Sequence, residues 1–219
     1  AKEVYFKLKG LNKKVIFVSN FSYLDRDGIV KIFKRKGLDV RKEQFITSSY
    51  VASKILKNKR VFVIGDGLKR EMVKNGVKVV DNDVEAVVIG HDVRYNYKKA
   101  TEALNFILNG AELYTTARGK VWLMEGKRVA GTGLIVIGLE YCSGKEAILL
   151  GKPSEYMIKE VKRVVEGRVI YFGDEFDVDI DFGKKSNFFT VFVKSGIDRD
   201  KKPKADLVLN SIKEVEDLI

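Results

Sequence analysis

The fold is decided by residues 168–181, RVIYFGDEFDVDID. Its apolar run, Val169–Phe172, predicts a buried strand, because β-branched and aromatic residues fill it without alternation. Gly173 then allows the chain to turn sharply, and acidic residues follow at once. In open α/β sheets, ligands bind at the edge where such strands end. This stretch therefore predicts a parallel sheet with a ligand site after the strand.

The acids after this strand have two interpretations. Carboxylates clustered at the end of a buried strand suit Mg²⁺, which takes oxygen ligands and keeps several waters. The alternative is that they cap and solvate the start of a helix, since negative charge is favourable at a helix N-terminus. By this second interpretation Asp177 and Asp181 are solvated turn and helix acids. The stretch alone leaves both interpretations open.

Composition narrows the class of protein. With 219 residues and 45% hydrophobic content, the chain is long enough for a sizeable core. The single cysteine, Cys142, excludes an internal disulfide and predicts a reducing, cytoplasmic location. No apolar run approaches the roughly 20 residues that span a bilayer, so no membrane partner is expected. The net charge of +11 comes from scattered lysines, which disfavours a nucleic-acid partner. Plentiful lysine together with few Gln, Met, Cys and Pro residues is typical of a thermophile.

Strand and helix patterns alternate along the whole chain. Buried strands are predicted at Val15–Val18, Val61–Ile64 and Ala86–Ile89, each followed by a segment with helical spacing. The very apolar run Leu134–Leu139 predicts a buried helix. This alternation predicts an α/β protein whose parallel sheets carry helices on both faces.

Three of the predicted strands end in groups that suit a phosphate ligand. They deliver Ser19 with Asn20, Lys152, and Asp174. A hydroxyl and an amide can donate to a phosphoryl oxygen, a lysine can neutralise its charge, and an aspartate can hold a bridging Mg²⁺. Taken singly, Ser19 is more often a turn former and Lys152 more often an exposed lysine. Because the strands of a parallel sheet end at one edge, the three groups are predicted to share a crevice.

The order of these motifs resembles the haloacid dehalogenase superfamily, and most closely its NagD-like or 4-nitrophenylphosphatase-like branch. The resemblance rests on Val-Ser19-Asn20, Ile-Thr47-Ser48, Gly-Lys152-Pro and Gly-Asp174 followed by Asp179, in the family's order. It implies a Rossmann-like parallel-sheet core, residues 1–57 and 147–219. It also implies an inserted α/β cap domain, residues 58–146.

The resemblance assigns roles to the strand ends. Ser19 and Asn20 would hydrogen-bond the phosphoryl group of a small phosphorylated substrate. Lys152 would balance the negative charge of the nucleophile and the phosphate. Asp174 would ligate Mg²⁺, and Asp179 would either support the metal or orient Lys152. Ser19 and Lys152 are thus the predicted catalytic residues, and Asp174 and Asp179 the predicted metal site.

In the cap, the resemblance places His91 and Asp92 where this branch contacts its substrate. A histidine there is equally often a structural group. Farther along, the family has an asparagine and an acid where this chain has Ala117 and Arg118. A basic replacement of this kind predicts either an acidic substrate or a substrate unlike the family's. The resemblance also leaves a homodimer as an option.

The family's nucleophile is the first aspartate of an Asp-x-Asp motif at the end of the first core strand. The early acids of this chain, including Asp25 and Asp27, follow no predicted buried strand. Covalent phosphoryl transfer needs a carboxylate in line with the phosphorus, and neither serine nor lysine replaces it. The resemblance predicts a Mg²⁺-dependent phosphomonoester hydrolase whose nucleophile lies on a segment before Ala1. The alternative is an inactive phosphatase-like protein that binds a phosphorylated ligand or an acidic partner.

Overall fold

The computed structural model describes residues 1–124, 127–196, 198 and 204–217. Within them the strands are β1 (Phe17–Ser19), β2 (Phe45–Thr47), β3 (Arg60–Ile64), β4 (Lys78–Val79), β5 (Ala86–Ile89), β6 (Glu112–Thr115), β7 (Val121–Met124), β8 (Lys127–Ala130), β9 (Ile148–Leu149), β10 (Ile170–Gly173), β11 (Phe189–Val193) and β12 (Leu207–Leu209). The α-helices are α1 (Lys2–Gly10), α2 (Arg26–Arg35), α3 (Ser48–Ile55), α4 (Asp66–Lys74), α5 (Tyr97–Leu108), α6 (Gly133–Ser143), α7 (Glu155–Lys162) and α8 (Asp181–Lys185). No described helix is long and apolar enough to cross a bilayer.

The chain divides into two compact units. The smaller unit comprises residues 1–17 and 152–219, and the larger comprises residues 18–151. The predicted core, 1–57 and 147–219, and the predicted cap, 58–146, differ from these units in where they place 18–57 and 147–151. The predicted division concerns which segments serve as catalytic core and as cap. Compactness does not test that, so the division stays a prediction.

The larger unit is built on a parallel sheet with the strand order β4-β3-β5-β6-β9. Strand β5 is buried along its whole length, as expected for a strand with helices on both faces. Alternate side chains of β5 pack into two different hydrophobic cores. Val87 and Ile89 pack with residues of α5 and α6. Ala86 and Val88 pack with residues of α3 and α4. The predicted α/β architecture is confirmed in this unit.

The smaller unit contains a parallel sheet with the order β10-β11-β12. Val191 of β11 and Leu209 of β12 pack with Val4 of α1 and with Val215. The predicted strand Val169–Phe172 is present as β10, which begins at Ile170 and ends at Gly173. Its predicted burial was wrong in part, because Tyr171 is buried but Ile170 is 46% exposed. Of the acids that follow β10, Asp177 and Asp179 lie in a π-helical turn, Phe176–Ile180, which continues into α8.

Helix α6 departs from the prediction of a buried helix. Ile135, Val136 and Leu139 are buried against the larger unit's core, but Leu134 and Ile137 are 67% and 60% exposed. The helix packs on one side only, so the side chains that point away from the core remain in solvent. The prediction was therefore right about the helix and wrong about the burial of its second face.

Candidate functional site

The smaller unit places three polar side chains in contact in its interior. Lys152 Nζ lies 2.5 Å from Asp179 Oδ1 and 3.1 Å from the hydroxyl of Tyr171. The same hydroxyl lies 2.9 Å from Asp179 Oδ1. All three side chains are buried. The structure thus brings together two of the predicted site residues, Lys152 and Asp179, through a third residue that was not predicted.

The second carboxylate oxygen of Asp179 holds the chain that leaves β10. Asp179 Oδ2 accepts hydrogen bonds from the backbone N–H groups of Asp174, at 3.0 Å, and Glu175, at 3.2 Å. The backbone at Gly173 lies very close to Asp179, as shown by the overlap that a Cβ added at Gly173 would have with the Asp179 side chain. Only glycine lets the end of β10 come so near to this carboxylate. Asp179 therefore fixes both the ammonium of Lys152 and the backbone that carries Asp174.

The environment keeps the ion pair charged. Burial alone would lower the pKa of Lys152, but Tyr171 and Asp179 beside it raise that pKa above its ordinary value. Burial alone would raise the pKa of Asp179, but the charge and hydrogen bond of Lys152 bring it below the ordinary value. Burial raises the pKa of Tyr171, so its hydroxyl keeps its proton at neutral pH. The trio is an ammonium, a carboxylate and a neutral phenol.

Asp174 lies half-buried directly after β10 and is the predicted Mg²⁺ ligand. No group of three or more metal-ligating side chains occurs in the described part of the chain. The donor set nevertheless fits Mg²⁺, which usually binds through one or two carboxylates and keeps waters and substrate oxygens as its other ligands. Negative charge is crowded here: burial, and then repulsion from Asp179, raise the pKa of Glu175. A cation beside Asp174 would relieve that repulsion.

The hydrogen bonds of Asp179 bear on its two predicted roles. Each of its carboxylate oxygens already accepts two hydrogen bonds from protein groups. A carboxylate offers about four acceptor positions, so these contacts account for its capacity. They are the contacts that the lysine-orienting role requires. Both roles, metal support and orientation of Lys152, stay predictions.

Ser19 and Asn20 lie in the larger unit, at and just after the end of β1. The hydroxyl of Ser19 accepts a hydrogen bond from the backbone N–H of Phe21 at 3.1 Å, which is the turn-forming contact expected of a serine. Asn20 packs tightly on Gly151, where an added Cβ would overlap its amide oxygen. Their predicted contact with a phosphoryl group stays a prediction.

His91 lies in a cluster of aromatic side chains in the larger unit. Its ring lies 4.7 Å from that of Trp122 and 5.8 Å from that of Tyr23, both edge to face. Burial lowers the pKa of His91, and Asp92 opposes this only in part. Within the described residues, His91 Nε2 and Trp122 Nε1 are buried without a hydrogen-bond partner. Buried polar nitrogens without partners are uncommon and are expected where a ligand or water binds.

Asp92, the neighbour of His91, is engaged in local contacts. Its carboxylate accepts from Lys99 Nζ at 2.6 Å and from the backbone N–H of Arg94 at 2.8 Å. These contacts hold the turn before α5. They give Asp92 a structural role, and its predicted substrate contact stays a prediction.

Arg118, the basic replacement noted in the sequence, forms a two-pronged ion pair with Glu140. Its terminal nitrogens lie 2.7 and 2.8 Å from the two carboxylate oxygens. Glu140 also accepts the backbone N–H of Ala147. Glu140 therefore ties α6 to the loop before β9, and Arg118 pairs with its carboxylate, which gives Arg118 a structural reason to be present that needs no acidic substrate.

The early acids also have structural roles. Asp25 caps α2 by accepting the backbone N–H of Gly28, and its other oxygen pairs with Lys74. Asp27 pairs with the same lysine. These contacts agree with the expectation that neither residue is the nucleophile of the Asp-x-Asp motif.

Two residues of these clusters were missed in the sequence, Tyr171 and Trp122. A signal existed for Tyr171, because a tyrosine inside a fully apolar strand must find a partner for its hydroxyl. A signal existed for Trp122 as well, because it lies in the apolar run Val121–Met124, which is typical of a strand.

Comparisons with known proteins agree with one family throughout. A family model described as haloacid dehalogenase-like hydrolase matches residues 1–78, and a related HAD-hydrolase-like model matches residues 149–215. Chronophin from Mus musculus is 31% identical over 90% of this chain and 75% of its own length. Ribonucleotide monophosphatase NagD from Escherichia coli is 26% identical, covering 86% of this chain and 76% of its own. The solved structure of p-nitrophenyl phosphatase from Archaeoglobus fulgidus, 30% identical, superposes with a TM-score of 0.89 over 99% of this chain and 90% of its own.

Proposed function

We propose that this chain, which belongs to the haloacid dehalogenase-like hydrolases and to their NagD-like branch, hydrolyses small phosphomonoesters with Mg²⁺ as cofactor. The observation that carries the proposal is the buried trio of Lys152, Tyr171 and Asp179, whose carboxylate also holds the backbone of Asp174. A fixed ammonium group and a carboxylate at the end of one strand are the groups that a phosphoryl site needs.

In the proposed reaction, a carboxylate oxygen of the nucleophile forms a bond to phosphorus as the ester P–O bond breaks, and the leaving alkoxide takes a proton from water to depart as the alcohol. Water then cleaves the aspartyl-phosphate to release inorganic phosphate and regenerate the carboxylate. The nucleophile is the aspartate of the family's upstream Asp-x-Asp motif. Lys152 balances the charge on the phosphoryl oxygens, an effect that is largest in the transition state. Mg²⁺, held by Asp174, would supply further charge neutralisation.

Further residues are proposed to contact the substrate. Ser19 and Asn20 are assigned hydrogen bonds to the phosphoryl group, as the resemblance implies. The predicted contact at His91 is supported by its unpartnered Nε2 and by the unpartnered Nε1 of Trp122, which lies against it. We therefore add Trp122 to the residues proposed to contact the organic part of the substrate.

The test is phosphate release from 4-nitrophenyl phosphate, with Mg²⁺ and with a chelator. It compares the 219-residue chain with a longer form that carries an upstream strand ending in Asp-x-Asp. We expect negligible turnover by the 219-residue chain and Mg²⁺-dependent turnover by the longer form. In the longer form Lys152→Ala should lower kcat by about 10²-fold or more, because it removes a charge aimed at the transition state. Ser19→Ala should cost less, since it removes one neutral hydrogen bond.

Lys159→Ala is the matched control, because Lys159 is an exposed lysine on α7 of the same unit. It should leave kcat unchanged. Robust Mg²⁺-dependent activity from the 219-residue chain would show that the nucleophile has been assigned to the wrong segment. A silent longer form would favour the inactive, ligand-binding alternative.

We further propose that the protein forms a homodimer through the exposed face of α6. Leu134, Ile137 and Tyr141 lie along this face and are 67%, 60% and 89% exposed. The face carries no charged side chain, although the chain as a whole has a net charge of +11. Two like-charged copies repel each other least where they meet through an uncharged surface. A second copy is therefore the partner that this face suits.

We also propose a cytoplasmic location and a thermophilic source for the protein. A cytoplasmic location is supported by the lone cysteine, Cys142, which is free and exposed. A thermophilic source is supported by the lysine-rich composition. A thermal unfolding midpoint typical of mesophilic domains would contradict the thermophilic assignment.

A further inference from the structure

The hydroxyl of Tyr171 lies between the two charged groups of the ion pair. It is 3.1 Å from Lys152 Nζ and 2.9 Å from Asp179 Oδ1. The aromatic ring packs on Phe182, with 5.0 Å between ring centroids, and the whole side chain is buried. The ring and the hydroxyl thus have different surroundings, one apolar and one charged.

Packing explains the ring but not the hydroxyl. A phenylalanine would fill the same apolar space beside Phe182, and a buried hydroxyl is unfavourable unless it is hydrogen-bonded. The direction of the hydrogen bonds follows from the chemistry of the partners. The Asp179 carboxylate can only accept, so Tyr171 donates to it, and the ammonium of Lys152 can only donate, so Tyr171 accepts from it.

The consequence is a fixed position for the ammonium group. An ion pair to a single oxygen allows a lysine head group to swing about that oxygen, because its side chain has many rotamers. A second hydrogen bond, to a hydroxyl that is itself held by the same carboxylate, closes a triangle. The positive charge of Lys152 is then held at one point relative to the end of β10.

We infer that Tyr171 is a positioning residue that holds the ammonium of Lys152 where it meets a phosphoryl group. The inference rests on the proposed function. It assigns no chemical step to Tyr171, which keeps its proton and acts only through Lys152. Within β10, the hydroxyl of Tyr171 is the polar side-chain group, since the other residues of the strand are apolar.

The experiment measures the binding of inorganic phosphate in the presence of Mg²⁺ by titration calorimetry, together with the thermal midpoint. Lys152→Ala should lose phosphate binding. Tyr171→Phe keeps the ring and removes the hydroxyl, and we expect its Kd to rise about tenfold, the effect of one hydrogen bond to a charged group. Its thermal midpoint should fall less than that of Phe182→Leu, because the packing on Phe182 is retained.

Phe182→Leu is the control for a purely structural effect. It disturbs the packing of the Tyr171 ring but leaves the hydroxyl, so it should lower the thermal midpoint and leave Kd close to that of the wild type. If Tyr171→Phe leaves Kd unchanged while Lys152→Ala abolishes binding, the positioning role is wrong and the proposed function stands. If Kd follows the thermal midpoint across both variants, Tyr171 is only a packing residue. Phosphate binding that survives Lys152→Ala would overturn the proposed function and the inference with it.

Discussion

Lys152 and Asp179 form an ion pair in the interior of the smaller unit, with 2.5 Å between Nζ and Oδ1. Lys152 lies just before α7, and Asp179 lies in the π-helical turn after β10. The pair therefore ties together two segments that are separated by a helix and a strand. Because Asp179 also accepts the backbone N–H of Asp174, this single carboxylate orders the lysine, the turn and the proposed metal ligand.

Breaking this pair should be costly and pH-dependent. Asp179→Asn leaves a buried ammonium without its counter-charge, which typically costs about 3–5 kcal/mol of unfolding free energy at pH 7. The pKa of Asp179 is lowered in the folded state, so its stabilisation is present above the ordinary value of 3.8 and is lost as pH falls through the folded value. The difference between wild type and variant should therefore shrink below about pH 3.8. Urea unfolding across pH measures it.

The control for that measurement is Asp181→Asn, an exposed acid two residues later, at the start of α8. It should change the unfolding free energy little at any pH. A difference between wild type and Asp179→Asn that stayed constant from pH 7 to pH 3 would show that the variant acts by packing rather than by charge.

Asp174 should be required for binding of the metal. A ligand stabilises only the state that binds it, so Mg²⁺ should raise the thermal midpoint of the wild type. Asp174→Asn should remove that rise, because it replaces a charged oxygen ligand by a neutral amide. Differential scanning fluorimetry with and without Mg²⁺ measures both midpoints. An equal rise in wild type and variant would contradict the assignment of Asp174.

Much of this fold could be predicted because its signals are local. The apolar runs of β3, β5 and β10 and the glycines after them are visible in sequence, and all three strands are present. The hairpin of β7 and β8 was not predicted: the apolar run Val121–Met124 of β7 was overlooked, and β8 begins with two charged residues and is mostly exposed. The exposed face of α6 was missed for the opposite reason. Its side chains are apolar on both faces, so periodicity could not tell which face is buried.

The site could be predicted only where a motif carried it. Lys152 and Asp174 follow strands in a recognisable order, which is why a motif predicts both. Tyr171 and Trp122 act through contacts that depend on the tertiary fold. The sequence also could not show that Arg118 is held by Glu140, since the two residues are 22 positions apart.

His91 should make stability depend on pH near neutrality. Burial lowers its pKa below the ordinary value of 6.5, so the unfolded chain binds the proton more readily than the folded one. Stability is therefore fully present above pH 6.5 and declines as pH falls below it. His91→Gln should flatten the curve between about pH 6.5 and 5.

Because Trp122 is the only tryptophan and lies against His91, its fluorescence can follow both unfolding and ligand binding.

The comparison with His91→Gln isolates the histidine, because it is the only histidine of the chain and the carboxylates, including Glu175 with its raised pKa, are the same in both proteins. A wild-type curve that is already flat from pH 7 to pH 5 would contradict the lowered pKa. Addition of a phosphomonoester that leaves Trp122 fluorescence unchanged would argue against a substrate contact at this cluster.

The α6 face should make the protein a dimer in solution. Each copy has a mass of 24.8 kDa, and light scattering coupled to size exclusion should give twice that value at micromolar concentration. Gly138 supports a close approach of two helices, because a Cβ there would meet no atom within 4 Å, so packing within one copy does not require a glycine. A glycine inside a helix costs about 0.5–1 kcal/mol relative to alanine. A helix of a second copy packed against that position would account for it.

Ile137→Lys should convert the dimer to a monomer, because it places a charge at the centre of the apolar face, where burial without a partner is strongly unfavourable. Val73→Lys is the matched control, since Val73 is similarly exposed, at 55%, but lies on α4 of the same unit. It should leave the mass at twice the chain mass. Raising the salt concentration should strengthen the wild-type dimer, because it screens the repulsion between two copies that each carry a charge of +11. A wild type that remains monomeric at every concentration and salt, or an Ile137→Lys variant that remains dimeric, would contradict the assignment of this face.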